Sequence, residues 1–139
     1  MKLFLDTGIL LDLLDGQRPG HRIALSLIQV IRSAGVSALM SSHSVVEASR
    51  ICALSHPASL PAFRERMGRL LQDIHIVGLS QQDVETALRS ANPNYEELTV
   101  ASCAMGASCN VLISDSETLR QVSEIPVLSP GEFLERVFE

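Results

Sequence analysis

Tryptophan is absent from this sequence, and other aromatic side chains are few: one tyrosine and four phenylalanines among 139 residues. They lie far apart along the chain, at Phe4, Phe63, Tyr95, Phe133 and Phe138. A surface that stacks nucleic-acid bases needs several such rings on one face. We therefore do not expect an aromatic base-stacking platform.

Positive charge is also scarce. The formal net charge is −5, and Lys2 is the only lysine. A protein that grips nucleic acid by a broad basic surface carries the opposite balance, so a nucleic-acid substrate would have to be bound through a metal ion or a local patch. A phosphate-binding loop that requires an internal lysine is excluded.

Cysteine and histidine show no metal-binding spacing. Cys52, Cys103 and Cys109 are odd in number and contain no C-x-x-C pair, which favours reduced structural thiols over disulfides or a zinc site. The histidines are scattered, at His21, His43, His56 and His75. We assign no metal to either residue type.

Long apolar runs are missing as well. No stretch approaches the roughly 20 apolar residues of a membrane span, and Asp6, Asp12 and Asp15 interrupt the apolar N-terminal segment. We expect one soluble, cytoplasmic domain over residues 1–139.

What the sequence does contain is an alternation of short apolar runs with segments of helical periodicity. Strands are predicted at 3–5, 36–40, 74–79, 111–113 and 125–128. Helices are predicted at 9–14, 21–33, from Ser44 to near Pro57, at about 60–73, 80–91 and 95–105, in a short segment near 119–122, and after Pro130. This order predicts a three-layer α/β/α fold with a central, mainly parallel sheet.

Four carboxylates occupy comparable positions in this pattern. Asp6 and Asp115 end predicted strands, while Glu47 and Glu97 lie in the first turns of predicted helices. Strand ends and the starts of the following helices meet at one edge of such a sheet, so these side chains could converge. Clustered carboxylates repel unless a cation neutralises them, and oxygen ligands favour Mg²⁺ or Mn²⁺.

Each carboxylate also has a structural interpretation, and for a single residue that interpretation is the more common one. Ser44 with Glu47, and Asn94 with Glu97, have the spacing of capping boxes. Asp6 and Asp115 could each cap the helix that follows.

The sequence resembles the PIN-domain family, in particular the small VapC-type toxins of toxin-antitoxin pairs. The resemblance lies in L-D-T-x-x-L-L-D-L-L at 5–14, S-x-x-E at 44–47, N-Y-E-E-L at 94–98, V-L-I-S-D at 111–115 and I-P-V-L-S-P-G-E-F-L at 125–134. It implies a Mg²⁺- or Mn²⁺-dependent endoribonuclease with an RNA substrate, an antitoxin partner and a homodimeric state. Asp6, Glu47, Glu97 and Asp115 would then bind the metal and serve catalysis.

The sequence departs from the family pattern at several positions. Gly8 stands where Asn is usual, Asn94 and Glu97 where Asp is usual, and the acidic or amide residue expected at Ser116 is replaced by Asp115 one position earlier. A catalytically impaired PIN-like domain that binds RNA or a partner protein is therefore the alternative interpretation.

Two other enzyme classes share fragments of the first motif. Asp6-Thr7-Gly8 matches the D-T-G of aspartic proteases, but those are all-β proteins and this chain is mostly helical in periodicity. A phosphatase of the haloacid dehalogenase type would need a second aspartate at position 8, which is glycine.

Overall fold

A computed structural model describes residues 1–55 and 60–138. Within these residues, five strands form one sheet in the order β3-β2-β1-β4-β5. The strands are β1 (Lys2–Leu5), β2 (Ser37–Ser41), β3 (Ile74–Val77), β4 (Val111–Ile113) and β5 (Val127–Leu128). All four strand pairs are parallel, which confirms the predicted three-layer α/β/α class.

Eight helices connect and cover the strands in the described part of the chain. They are α1 (Thr7–Leu14), α2 (His21–Ala34), α3 (Ser42–Ser55), α4 (Leu60–Leu70), α5 (Gln81–Arg89), α6 (Tyr95–Gly106), α7 (Glu117–Val122) and α8 (Pro130–Val137). None of these helices is long and apolar enough to cross a membrane. The predicted end of the third helix near Pro57 lies outside the described residues.

The central strand, β1, contributes side chains to two hydrophobic cores, one on each face of the sheet. Leu3 and Leu5 pack with residues of α1 to α4 and α8, whereas Phe4 packs with residues of α6 and α7. All three side chains are fully buried. Because neighbouring residues of a strand point to opposite faces, this short run holds both helical layers against the sheet.

Some predicted boundaries are wrong by a few residues. β3 ends at Val77 rather than at 79. β5 begins at Val127 rather than at 125, because Pro126 has no amide N–H to donate and only its carbonyl accepts a hydrogen bond, from the amide of Leu112. α4 ends at Leu70 rather than at 73. The chain forms a turn there, in which the amide of Asp73 donates a hydrogen bond to the carbonyl of Leu70.

The cysteines are free within the described residues, as the sequence predicts. Cys103 and Cys109 are buried, and burial raises the pKa of the Cys103 thiol to about 11. A thiol with so high a pKa is almost entirely protonated at neutral pH and correspondingly unreactive.

One close approach in the fold gives a direct test of packing. A Cβ atom added to Gly20 would collide with the carboxylate of the buried Asp12, which accepts a hydrogen bond of 2.8 Å from Nε of Arg18. We expect Gly20→Ala to lower the free energy of unfolding by about 1 to 3 kcal/mol, measured by urea denaturation.

Gly68→Ala is the matched control, because no described atom lies within 4 Å of a Cβ at this position in α4. It should raise the free energy of unfolding by up to about 1 kcal/mol, since alanine is the better helix former. Equal effects of the two substitutions would show that the contact with Asp12 does not constrain Gly20.

Candidate functional site

Asp6 lies at the point where the chain order of the sheet reverses. β1 is followed by β2 on one side and neighbours β4 on the other, and ligands of open α/β sheets bind in the crevice at such a switch point. The amide of Asp6 donates to the carbonyl of Ile113 at 3.1 Å. Its Oδ1 accepts from the amide of Thr7 at 2.8 Å, and its Oδ2 accepts from the hydroxyl of Ser114 at 2.7 Å.

The capping interpretation of Asp6 is therefore correct in part. Asp6 is the N-cap of α1, and Gly8 lies in the first turn of that helix. The bond to Thr7 uses Oδ1 alone, however, whereas Oδ2 is held from the adjacent strand by Ser114. Two contacts from different elements fix the carboxylate at the edge of the sheet.

The capping interpretation of Glu47 is wrong. α3 begins at Ser42, so Ser44 lies within its first turn and Glu47 in its second. The amide of Ser44 is bound instead by Oγ of Ser41 at 3.2 Å. The hydroxyl of Ser44 contacts Oγ1 of Thr7 at 2.7 Å, which ties α3 to α1 directly beside Asp6.

Glu47 has no structural role of comparable strength in the described residues. Its Oε2 atom is buried and accepts no hydrogen bond there. Nε2 of His43 lies 3.0 Å away, within hydrogen-bond distance but without hydrogen-bond direction, and Nη2 of Arg50 lies 4.0 Å from Oε1. A buried carboxylate oxygen without a donor is costly unless a proton or a cation is supplied.

The capping box predicted for Asn94 and Glu97 is also wrong. Asn94 is the N-cap of α6, but its side chain makes no capping bond to this helix, all of which is described. Glu97 lines a cavity of about 240 Å³ whose lining includes Asp6, Thr7 and Ser116. Two of the predicted site residues therefore face one cavity.

At the end of β4, the structure places Ser116 rather than Asp115 in this cavity. Ser116 is also the N-cap of α7, where its Oγ accepts from the amide of Leu119 at 3.1 Å. Asp115 is exposed and is outside the cavity lining found among the described residues. The family position therefore carries a hydroxyl group, and the assignment of Asp115 to the site remains a prediction.

The electrostatic surroundings of Asp115 lie mainly on the side of α1 and α7. Although Asp115 is exposed, partial desolvation by its neighbours is the largest cause that raises the pKa of this carboxyl, followed by the charge of Asp12. The charges of Asp6 and Glu132 raise the pKa further, while Arg120 lowers it. The charge of Asp6 thus affects the pKa of Asp115, but it is only one of several charges that do so.

Glu96 is the residue that sequence reasoning missed. It lines the 240 Å³ cavity with Asp6 and Glu97, and also a neighbouring cavity of about 510 Å³ with Glu47 and His43. It is therefore the side chain common to both groups of acids. The sequence did contain a signal for Glu96, namely its position next to Glu97. Neighbouring helical residues point in different directions, so two adjacent glutamates can line two different cavities.

The pKa of Glu96 is raised, first by burial and then by the charges of Glu47, Glu97 and Asp6, while His43 opposes the shift. Each of these acids is therefore close enough to Glu96 to repel it. Asp6, Glu47 and Glu97 thus each lie near Glu96, a fourth acid that the sequence analysis did not select, while their binding of one ion remains a prediction.

Within residues 1–55 and 60–138, one set of three potential metal ligands has its ligand atoms within 4.8 Å of one another: His43, Glu47 and Glu96. Asp6 and Glu97 are outside this tight set, although they border the same edge. The unsatisfied oxygen of Glu47 and the surplus of carboxylates fit a divalent cation, whose preferred ligands are carboxylate oxygens.

Comparison with known proteins gives no match to a protein-family model and no similar curated protein. Solved structures do match. VapBC2 from Rickettsia felis, bound to a DNA fragment from its promoter, has a TM-score of 0.68 at 13% identity and covers 93% of this chain and 98% of its own.

Two further structures give the same result. Mycobacterium tuberculosis VapC20, a toxin that cleaves the sarcin-ricin loop, has a TM-score of 0.67 at 13% identity, over 86% of this chain and 93% of its own. FitAB bound to an IR36 DNA fragment has a TM-score of 0.65 at 14% identity, over 92% and 94%. The chain thus has the PIN-domain fold of VapC-type toxins, and the resemblance in fold is confirmed.

Charge repulsion at this edge predicts an unusual response to mutation. We expect Asp6→Asn to raise the free energy of unfolding by up to about 1 kcal/mol in chelator at low salt, because the substitution removes one of the acids that repel Glu96. The gain should disappear in saturating Mn²⁺, where the wild-type carboxylate becomes a ligand. Thermal denaturation with and without metal measures both effects.

Glu135→Gln is the matched control, since it removes one exposed negative charge from α8. It should behave alike in both buffers. If Asp6 serves only as a cap, Asp6→Asn should be nearly neutral in both, because the two residues cap about equally well.

Proposed function

We propose that this protein is a metal-dependent endoribonuclease of the PIN-domain type, acting as the toxin of a toxin-antitoxin pair. The observation that supports this most strongly is the group of acids around Glu96 at the switch point of the sheet. Glu47 and Glu97 have no capping role within the described residues, so their placement calls for another explanation.

In this proposal each acid has a role that follows from its place in the fold. Asp6 is held by Thr7 and Ser114 and serves as the most rigid ligand. Glu97 faces Asp6 across the smaller cavity, and Glu47 approaches from α3. Asp115 lies further out and is proposed to act on ligand waters or on the substrate rather than as a direct ligand.

A bound Mg²⁺ or Mn²⁺ would supply an acidified water and a counter-charge for the phosphate. The chain's own contribution is to hold ligands of correct charge at an open, partly apolar edge. The same cation would offset part of the net charge of −5, which otherwise repels RNA.

The proposed partners follow from the structural neighbours. VapBC2 and FitAB are complexes bound to DNA, and VapC20 is a toxin that cleaves the sarcin-ricin loop. By analogy, this chain would take an RNA substrate, be restrained by an antitoxin protein, form a homodimer and act in the cytoplasm.

A second candidate is a catalytically impaired PIN-like domain that binds RNA or a protein. The observation that favours it is the presence of Ser116, a neutral side chain, at the place where the family carries an acidic or amide residue. The longer side chain of Glu97 adds to this argument, because a displacement of about 1 Å in a catalytic centre can cost about 100-fold in rate.

RNA cleavage by the purified chain separates the two candidates. We expect slow cleavage of unstructured RNA with Mn²⁺, less with Mg²⁺, and none with chelator, since Mg²⁺ demands near-ideal octahedral geometry. Glu97→Asp should increase the rate, whereas Glu97→Gln and Asp6→Asn should abolish it. Glu135→Gln should match the wild type and thereby exclude a contaminating nuclease.

The binding-module candidate makes the opposite prediction. Wild type, Glu97→Asp and Glu97→Gln would all be inactive with either metal, yet would retain RNA or a partner protein in a pull-down or fluorescence titration. That outcome would remove the enzymatic proposal and keep the fold.

A further inference from the structure

His43 belongs to a group of ligand atoms whose donor set differs from that of an all-oxygen magnesium site. His43 and Glu47 are one helical turn apart on α3, and Glu96 approaches from the first turn of α6. Nε2 of His43 lies 3.0 Å from Oε2 of Glu47 and 3.8 Å from Oε1 of Glu96. The ligand atoms of all three residues lie within 4.8 Å of one another, and the three residues line the larger cavity.

The second observation is the state of Glu47. Its Oε2 is buried and accepts no hydrogen bond from the described residues, although Nε2 of His43 is only 3.0 Å away. Two atoms bound to one ion at about 2.1 Å and at right angles to each other are about 3.0 Å apart. The separation therefore suits two adjacent ligands of a common ion.

We propose that His43, Glu47 and Glu96 form a binding site for a first-row transition-metal ion, with one imidazole nitrogen and two carboxylates as ligands. Imidazole suits ions such as Mn²⁺, Co²⁺ and Zn²⁺, whereas Mg²⁺ prefers oxygen alone. The site shares Glu47 with the proposed ribonuclease cluster, but it does not depend on RNA cleavage. It makes the edge of this sheet selective for transition metals.

The competing explanation is an ordinary ion pair. A protonated His43 would be attracted to both glutamates without any metal. Its attraction to Glu47 would be an ordinary pairing of opposite charges four residues apart on a helix. The two explanations differ in what His43 does at pH 7.5. A metal ligand must present a neutral nitrogen with a free lone pair, and a nitrogen bound to Mn²⁺ is detectable by magnetic resonance.

Pulsed electron paramagnetic resonance on the full chain with one equivalent of Mn²⁺ at pH 7.5 tests the proposal. We expect ¹⁴N modulation from a directly bound imidazole in wild type and its loss in His43→Ala. Isothermal titration should show at least about tenfold weaker Co²⁺ binding for His43→Ala and for Glu96→Gln, with Mg²⁺ binding unchanged by His43→Ala. Alanine is the best helix former, so the exposed end of α3 should remain folded.

His75→Ala is the control, because His75 is exposed on β3 and is not part of the group. It should retain the ¹⁴N modulation and the Co²⁺ affinity of wild type. Mn²⁺ bound without ¹⁴N modulation, or modulation that survives in His43→Ala, would overturn the proposal and leave His43 as an ion-pair partner.

Asp6→Asn separates this proposal from the ribonuclease proposal. It should abolish RNA cleavage and keep the ¹⁴N modulation, since Asp6 is not one of the three ligands. Active enzyme without nitrogen ligation would reject the histidine site alone. Nitrogen ligation in a wild type that never cleaves RNA would reject the ribonuclease alone.

Discussion

The crowding of carboxylates at one edge of a parallel sheet is the constraint that the rest of this structure has to accommodate. The fold brings Asp6 to the switch point, and α3 and α6 begin at the same edge with Glu47, Glu96 and Glu97. The pKa of Glu96, whose side chain is mostly exposed, is raised first by partial desolvation and then by the charges of these acids. The two cores around β1 hold the elements that carry these acids in place.

The hydrogen bonds around these acids show which of them the fold itself requires. Asp6 accepts hydrogen bonds from two residues in different parts of the chain, so the fold itself positions its carboxylate. Glu47 has a buried oxygen that accepts no hydrogen bond among the described residues, although Nε2 of His43 lies 3.0 Å from it. A divalent cation would bind that oxygen and also neutralise the repulsion between the acids. A single ion would thus account for both features of this edge of the sheet.

The fold and Asp6 were predictable from the sequence because both depend on local patterns. The run Leu3 to Leu5 shows a buried strand, and Asp6 ends it. The roles of the glutamates were harder to predict, because capping boxes at Ser44 and Asn94 have the right spacing and neither forms. At Ser44, Oγ of Ser41 accepts from the amide and Oγ1 of Thr7 contacts the hydroxyl. At Asn94, the side-chain amide donates to Oδ1 of Asn92 instead of capping the helix. Glu96 and His43 lie on different helices, and the distance of 3.8 Å between Oε1 of Glu96 and Nε2 of His43 cannot be read from the spacing within either helix.

The most direct test of a shared cation is anomalous X-ray diffraction from crystals of the full chain soaked in Mn²⁺. The account predicts an anomalous peak at the carboxyl edge, with oxygen atoms of Glu47 and at least one of Asp6, Glu96 and Glu97 at about 2.0 to 2.6 Å. A well-ordered site with no peak at saturating Mn²⁺, or with peaks only on other faces, would contradict it.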